Sequence, residues 1–139
     1  MEKGLLDTDT LSETLKGSNA ALVRRASEYA EEYARFTYTA VSVHEILYGL
    51  HHKGARRQLA QAEASFAESE VIVPTLEDYA VAGRIRGVAR SQGDQLALDD
   101  SLIGAVATRF GMPVVTGNTG HFAAMQRAGL NIRLENWKA

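Results

Sequence analysis

Two adjacent carboxylates, Asp99 and Asp100, open a segment that is otherwise almost uncharged as far as the strand-like Pro113-Val114-Val115. Arg109 is the only charged side chain in that interval. Ile103, Ala107 and Phe110 recur at helical spacing, and Leu102 and Val106 widen the apolar face until little polar surface remains. Such a helix belongs in the middle of a fold, and Gly111 stops it. Asp100 lies three residues before Ile103 and therefore shares the buried face at the helix N-terminus. A carboxylate there needs a partner, either the helix end that Asp99 or Asp100 caps or a metal ion.

Three further oxygen-bearing residues stand at comparable places. Asp7 follows the apolar run Gly4-Leu5-Leu6, a first buried strand, and so lies at a strand's carboxyl end, where open α/β sheets place their ligands. Glu45 follows a β-branched and aromatic second strand, Phe36 to Val41. Asn118 sits just past the strand ending at Val115. One crevice can hold Asp7, Glu45, Asp100 and Asn118 together. An all-oxygen set without His or Cys suits Mg²⁺ or Mn²⁺ rather than Zn²⁺. The chemistry that uses it is phosphoryl transfer, in which the ion activates water and stabilises the leaving oxygen. Local evidence for Glu45 favours a plainer role, because Ser42 and Glu45 match a capping box. Asp9 likewise reads as structural: Asp9 or Thr10 caps the first helix, with Thr10 and Glu13 as a capping box.

The elements that must position these residues follow from periodicity. Ser18 or Asn19 caps a second helix with the stripe Leu22, Ala26, Tyr29, Tyr33. Val43, Ile46, Leu47 and Leu50 form the next stripe, Gly54 breaks that helix, and Arg56 to Ser69 returns with Leu59, Ala62 and Phe66 inward. The junction carries Lys53, Arg56 and Arg57, read as a solvated hairpin tip. His44, His51 and His52 read as surface histidines. Val71 to Pro74 is a third strand, and Thr75 caps a helix with Val81, Ile85 and Val88 inward. After Phe122 come a short helix to Ala128, a last strand around Asn131 to Leu134, and Trp137 packing the tail. Strands alternating with helices predict an α/β fold with a central, mostly parallel sheet of about five short strands.

Composition sets outer bounds. A chain of 139 residues, 45% hydrophobic, is expected to form a single domain over 1–139 with a real core. No cysteine is present, which excludes disulfides and thiolate metal sites. No signal peptide and no apolar run near ~18 residues is visible, so a cytoplasmic location without membrane contact is expected. Fifteen basic residues against 17 acidic ones supply no global argument for a nucleic-acid partner.

The ordered set LLDTDTL, VSVHEILYGL, DDSLIGAVA and VVTGNTGHF, followed by Gly129-Leu130 and Glu135-Asn136-Trp137, resembles the PIN-domain ribonucleases and most closely their VapC-like toxins. The resemblance spans nearly the whole chain; each motif is degenerate, but their order and spacing are specific. It implies a three-layer PIN-like fold and a metal-dependent endoribonuclease acting in a toxin–antitoxin pair. Asp7, Glu45 and Asp100 then take the metal-site acid positions and Asn118 the fourth position, with Mg²⁺ or Mn²⁺ as cofactor. It selects Asp100 over Asp99 and makes a site role the preferred reading of Glu45. Asn in place of the frequent Asp at the fourth position lowers the site's charge and leaves a second metal open. Implied partners are a VapB-like antitoxin, an RNA substrate, a second copy in a homodimer, and DNA only through the antitoxin. Two other readings differ in class. LLDTDT with GDQLALDD also fits haloacid-dehalogenase-like phosphatases, with Asp7 as nucleophile and Asp9 as acid/base. That motif should end a strand, however, and no lysine lies between Lys53 and Lys138 to serve it. A non-catalytic PIN-fold binding module is the third reading, opposed by the intact three-acid set.

Overall fold

A computed structural model describes residues 1–139. Five short strands alternate with seven helices: β1 (Leu5–Leu6), α1 (Thr8–Lys16), α2 (Ala20–Tyr33), β2 (Thr37–Thr39), α3 (Ala40–Lys53), α4 (Arg56–Glu68), β3 (Glu70–Ile72), α5 (Leu76–Ser91), α6 (Leu98–Phe110), β4 (Val114–Val115), α7 (Thr119–Arg127) and β5 (Leu134–Glu135). The strands form one sheet in the order β3-β2-β1-β4-β5, with every pairing parallel. Leu5 is the shared register point, opposite Thr37 on one side and Val114 on the other.

Successive strand residues point to opposite faces, and two cores follow from that alternation. Leu5 and Val114 join Ile85, Ile103, Val106 and Met125 beneath α5, α6 and α7. Leu6 and Val115 join Leu22, Tyr29, Tyr38 and Trp137 on the other face, beneath α1 to α4. Helices on both faces of a wholly parallel sheet make the three-layer α/β architecture expected from the motif order. The chain runs from β1 outward to β3, then returns to place β4 on the other flank of β1. The strand order reverses between β1 and β4, and a crevice opens at their carboxyl ends, at Asp7 and Thr116.

The central helix α6 is buried continuously from Ser101 to Ala107. At Gly104 an added Cβ would approach the Met125 sulfur to 2.9 Å and the Leu130 side chain to 3.1 Å, so glycine there lets α7 and its C-terminal turn close on α6. Arg109 leaves this apolar helix to grip Asp78 of α5, donating from Nε to Oδ1 at 2.9 Å and from its terminal nitrogen to Oδ2 at 2.8 Å. Asp78 also accepts from the Thr75 amide and completes the capping box that starts α5. One buried carboxylate thus joins the start of α5 to the end of α6.

Several local expectations are corrected. Phe110 is 50% exposed rather than inward, and lies under the Arg109 guanidinium, 4.4 Å from it. Val88 is also exposed; the inward stripe of α5 is Asp78, Ala82, Ile85 and Ala89. β2 ends at Thr39, because α3 begins at Ala40 rather than after Val41. β3 spans Glu70–Ile72, and β5 starts only at Leu134. The helix caps expected at Asn19 and Thr75 are formed, and Trp137 is buried against Tyr29 at 5.2 Å between ring centres.

Candidate functional site

Asp7 lies where β1 becomes α1, and it, rather than Asp9 or Thr10, caps that helix: its Oδ1 accepts from the Thr10 amide at 2.8 Å. The position is dictated by the sheet, since the Asp7 amide donates to the Val115 carbonyl and holds the residue against β4. The side chain is 3% exposed. Burial pushes its carboxyl above the usual range, against the Thr116 hydroxyl and the Thr10 amide, which favour the charged form.

Glu45 comes from the second turn of α3. The capping box expected between Ser42 and Glu45 is not formed. Thr39 occupies the cap position without a side-chain bond, because the helix starts earlier than the Ser42 signal implied. Ser42 instead is fully buried and meets the Thr8 hydroxyl at 2.9 Å. That contact ties α3 to the first residue of α1 and brings Glu45 to the rim beside Asp7. The Glu45 carboxylate is partly exposed and lies 3.4 Å from Nδ1 of His44, which is otherwise the surface histidine expected.

Asp100 and Asp99 occupy the first turn of α6, where the helix dipole favours negative charge, but neither caps it. The cap position belongs to Ala97, which has no side chain to serve it. Asp99 accepts from the Asp100 amide at 2.9 Å. Burial raises the Asp100 carboxyl, and the neighbouring charge of Asp99 raises it further. Asn118 opens α7, where its amide donates to Thr116 Oγ1 at 2.9 Å.

These residues line one crevice of about 180 Å³: Asp7, Glu45, Asp100 and Asn118, together with Asp9 and Asp99. His121 completes the wall. Its Nδ1 stands 3.3 Å from Asp100 Oδ2 and 3.0 Å from the Asn118 amide nitrogen. His121 was not singled out by sequence reasoning, although it lies one helical turn after Asn118 and so had to share its face. Thr116, also missed, is buried between Asp7 and Asn118.

No group of three or more Asp, Glu or His side chains here stands together closely enough to hold an ion. The donors nevertheless fit a hard divalent cation in chemistry: carboxylate oxygens from three elements face one small volume, and two of them are held above their usual range by burial. A divalent charge is what such a set lacks. The alternative phosphatase arrangement is not built, since no strand precedes Asp99 and Asp100; the segment before them is helix α5 and a loop.

Solved structures match this fold closely. A DNA-bound VapBC complex from Salmonella typhimurium contains a chain 27% identical, with a TM-score of 0.81 and 99% of each chain covered. FitAcB from Neisseria gonorrhoeae matches at 23% identity and a TM-score of 0.77, over 96% of each chain. VapBC2 from Rickettsia felis, bound to a promoter DNA fragment, matches at 19% and 0.79, over 96% of this chain and 97% of its own. Comparison with curated proteins returns no match. No helix is long and apolar enough to cross a membrane. The PIN-domain profile matches residues 4–128, which takes in β1 to α7 and with them every wall of the crevice, and on that match the chain belongs to the PIN-domain family.

Proposed function

We propose that this protein is a metal-dependent endoribonuclease and the toxin of a VapBC-type toxin–antitoxin pair, acting as a single domain in the cytoplasm. The observation that carries the reading is the meeting of Asp7, Glu45 and Asp100, from three separate elements, on one crevice of a PIN fold. In this reading those three carboxylates hold Mg²⁺ or Mn²⁺, and Asn118 is the fourth, neutral member of the site. The ion, when bound, activates water and offsets charge on the phosphodiester. The chain's own part is positional. Thr10 and Thr116 orient Asp7, and the buried base of α6 fixes Asp100. The Thr8–Ser42 contact sets the distance between α1 and α3.

Purified protein is expected to cut RNA with Mg²⁺ or Mn²⁺, poorly with Zn²⁺, and not at all in excess EDTA. Robust cleavage in chelator would remove the metal-site reading. A folded protein that binds antitoxin but cuts no RNA under any metal would leave the binding-module reading in its place.

The partner assignment rests on the VapBC complexes among the structural relatives. A groove of about 260 Å³ between α1, α3 and α4, with Leu15, Ile46 and Leu50 on its walls, adjoins Glu45. In this reading the antitoxin's C-terminal segment folds along that hairpin, and a basic side chain from it enters the acidic crevice. DNA is reached only through the antitoxin. Two copies of the toxin pair side by side, so that their crevices form one longer RNA groove. Sedimentation at tens of micromolar is expected to show a dimer alone and a larger species with a VapB-like partner. A monomer that no such partner shifts would count against both partner assignments.

A further inference from the structure

The acidic crevice has one wall that an oxygen-only site does not need. His121 projects from the first turn of α7, and its Nδ1 faces two groups at once, Asp100 Oδ2 at 3.3 Å and the Asn118 amide nitrogen at 3.0 Å. A single ring nitrogen cannot donate to the carboxylate and accept from the amide simultaneously. Turning the Asn118 amide so that its oxygen faces the ring removes that conflict, and it leaves Nδ1 and Asp100 Oδ2 facing each other at a spacing across which a cation would satisfy the lone pairs of both.

We infer that His121 is a nitrogen ligand in this metal site, and that it tilts the site's preference from Mg²⁺ toward Mn²⁺. The inference rests on the proposal above that Asp7, Glu45 and Asp100 hold a divalent ion. Two ligands at right angles on an octahedral ion with bonds of about 2.1 Å stand about 3.0 Å apart. The observed 3.3 Å between Nδ1 and Oδ2 is close to that spacing, so binding needs only a small movement of an exposed ring. Position reinforces the geometry. His121 lies one turn from Asn118 on α7, so the helix that delivers the fourth member of the site delivers the imidazole to the same wall. Imidazole also changes the chemistry. Mg²⁺ takes oxygen donors almost exclusively, whereas affinity of nitrogen-containing sites rises along the transition series and admits Mn²⁺.

The test is direct metal binding, read without catalysis. Mn²⁺ is titrated into wild type and His121→Asn, free ion is followed by electron paramagnetic resonance, and Mg²⁺ is added as competitor. The wild type is expected to bind Mn²⁺ at least about tenfold more tightly than the variant, while Mg²⁺ affinity changes less than about twofold. Pulsed spectra of the wild-type Mn²⁺ complex should show coupling to a directly bonded ¹⁴N, and the variant should lack it. His121 is exposed, so the variant is expected to fold, and circular dichroism confirms that before titration. Saturable Mn²⁺ binding without nitrogen coupling overturns the assignment of His121 and leaves the carboxylate site standing. Failure of the wild type to bind Mn²⁺ overturns the assignment of His121, and failure to bind Mg²⁺ as well, read by calorimetry, overturns the carboxylate site.

Discussion

Asp100→Asn is expected to abolish RNA cleavage and growth toxicity, a loss of at least about 100-fold, while the protein stays folded. Losing one outer-sphere partner of a metal ligand already costs about 10–100-fold, and Asp100 is assigned to the inner set. The accompanying stability change has a definite sign. Burial and the charge of Asp99 raise the Asp100 carboxyl in the folded protein, so folded protein binds its proton more tightly than unfolded chain. In metal-free buffer at neutral pH the ionised group therefore costs stability. The asparagine variant should unfold at the same or a higher temperature than wild type. That advantage disappears once pH falls below the ordinary carboxylate range, where wild type is protonated in both states. Asp99→Asn should cost far less activity, because Asp99 Oδ1 is already engaged by the Asp100 amide. Cleavage assays paired with thermal melts separate the two residues. If the variants exchange behaviours, the choice of Asp100 over Asp99 is wrong.

The second large effect is on folding. Asp78→Ala should destabilise the protein by about 3 kcal/mol, because a buried ion pair that loses one member leaves the other uncompensated. Arg109 keeps a partly exposed side chain, which places the cost at the lower end for such pairs. The same substitution removes the reciprocal half of the α5 capping box. The pH dependence is opposite to that at Asp100. Burial opposes ionisation of Asp78, but the Arg109 fork and the Thr75 amide outweigh it and hold its carboxyl below the usual range. Its contribution is complete above the unfolded-chain carboxylate value and is lost as pH falls through the lower folded value. Urea midpoints of wild type and Asp78→Ala should therefore converge in acid. Midpoints separated equally at neutral and at acidic pH would show that the carboxylate's charge is not what matters.

Much of this fold was legible in the chain because its signals are local. The stripe Leu22, Ala26, Tyr29 reports one buried helix face, and Gly54 and Gly111 end helices in a backbone conformation that glycine adopts without strain. Alternation of these elements, with adjacent strand residues Leu5 and Leu6 both apolar, required a sheet covered on both faces. Local signals were least dependable where two of them competed. Ser42 and Glu45 carry the letters of a capping box, yet α3 starts two residues before Ser42, so the pair lies inside the helix rather than at its end. Phe110 continued the apolar spacing of α6, but the helix emerges from the core after Ala107 and the last turn meets solvent.

By itself, then, the order of residues determined the sequence of elements and the parallel sheet, because periodicity, caps and breakers act within a few residues. The preference for Glu45 as a site residue and for Asp100 over Asp99 came from the resemblance of the ordered motifs. Tertiary structure alone decided what those positions face. The reversal of strand order between β1 and β4 draws Asp7, Asp100 and Asn118 to one crevice. The Thr8–Ser42 contact, across 34 positions of chain, brings in Glu45. The partner of Arg109 lies 31 residues away on another helix, and no local rule names it. His121 was likewise visible as a letter and silent as a neighbour of Asp100, 21 residues distant. Spacing along a helix or strand is set by bond geometry and can be counted. Distance across the fold is set by how whole faces pack, and it exists only once they have.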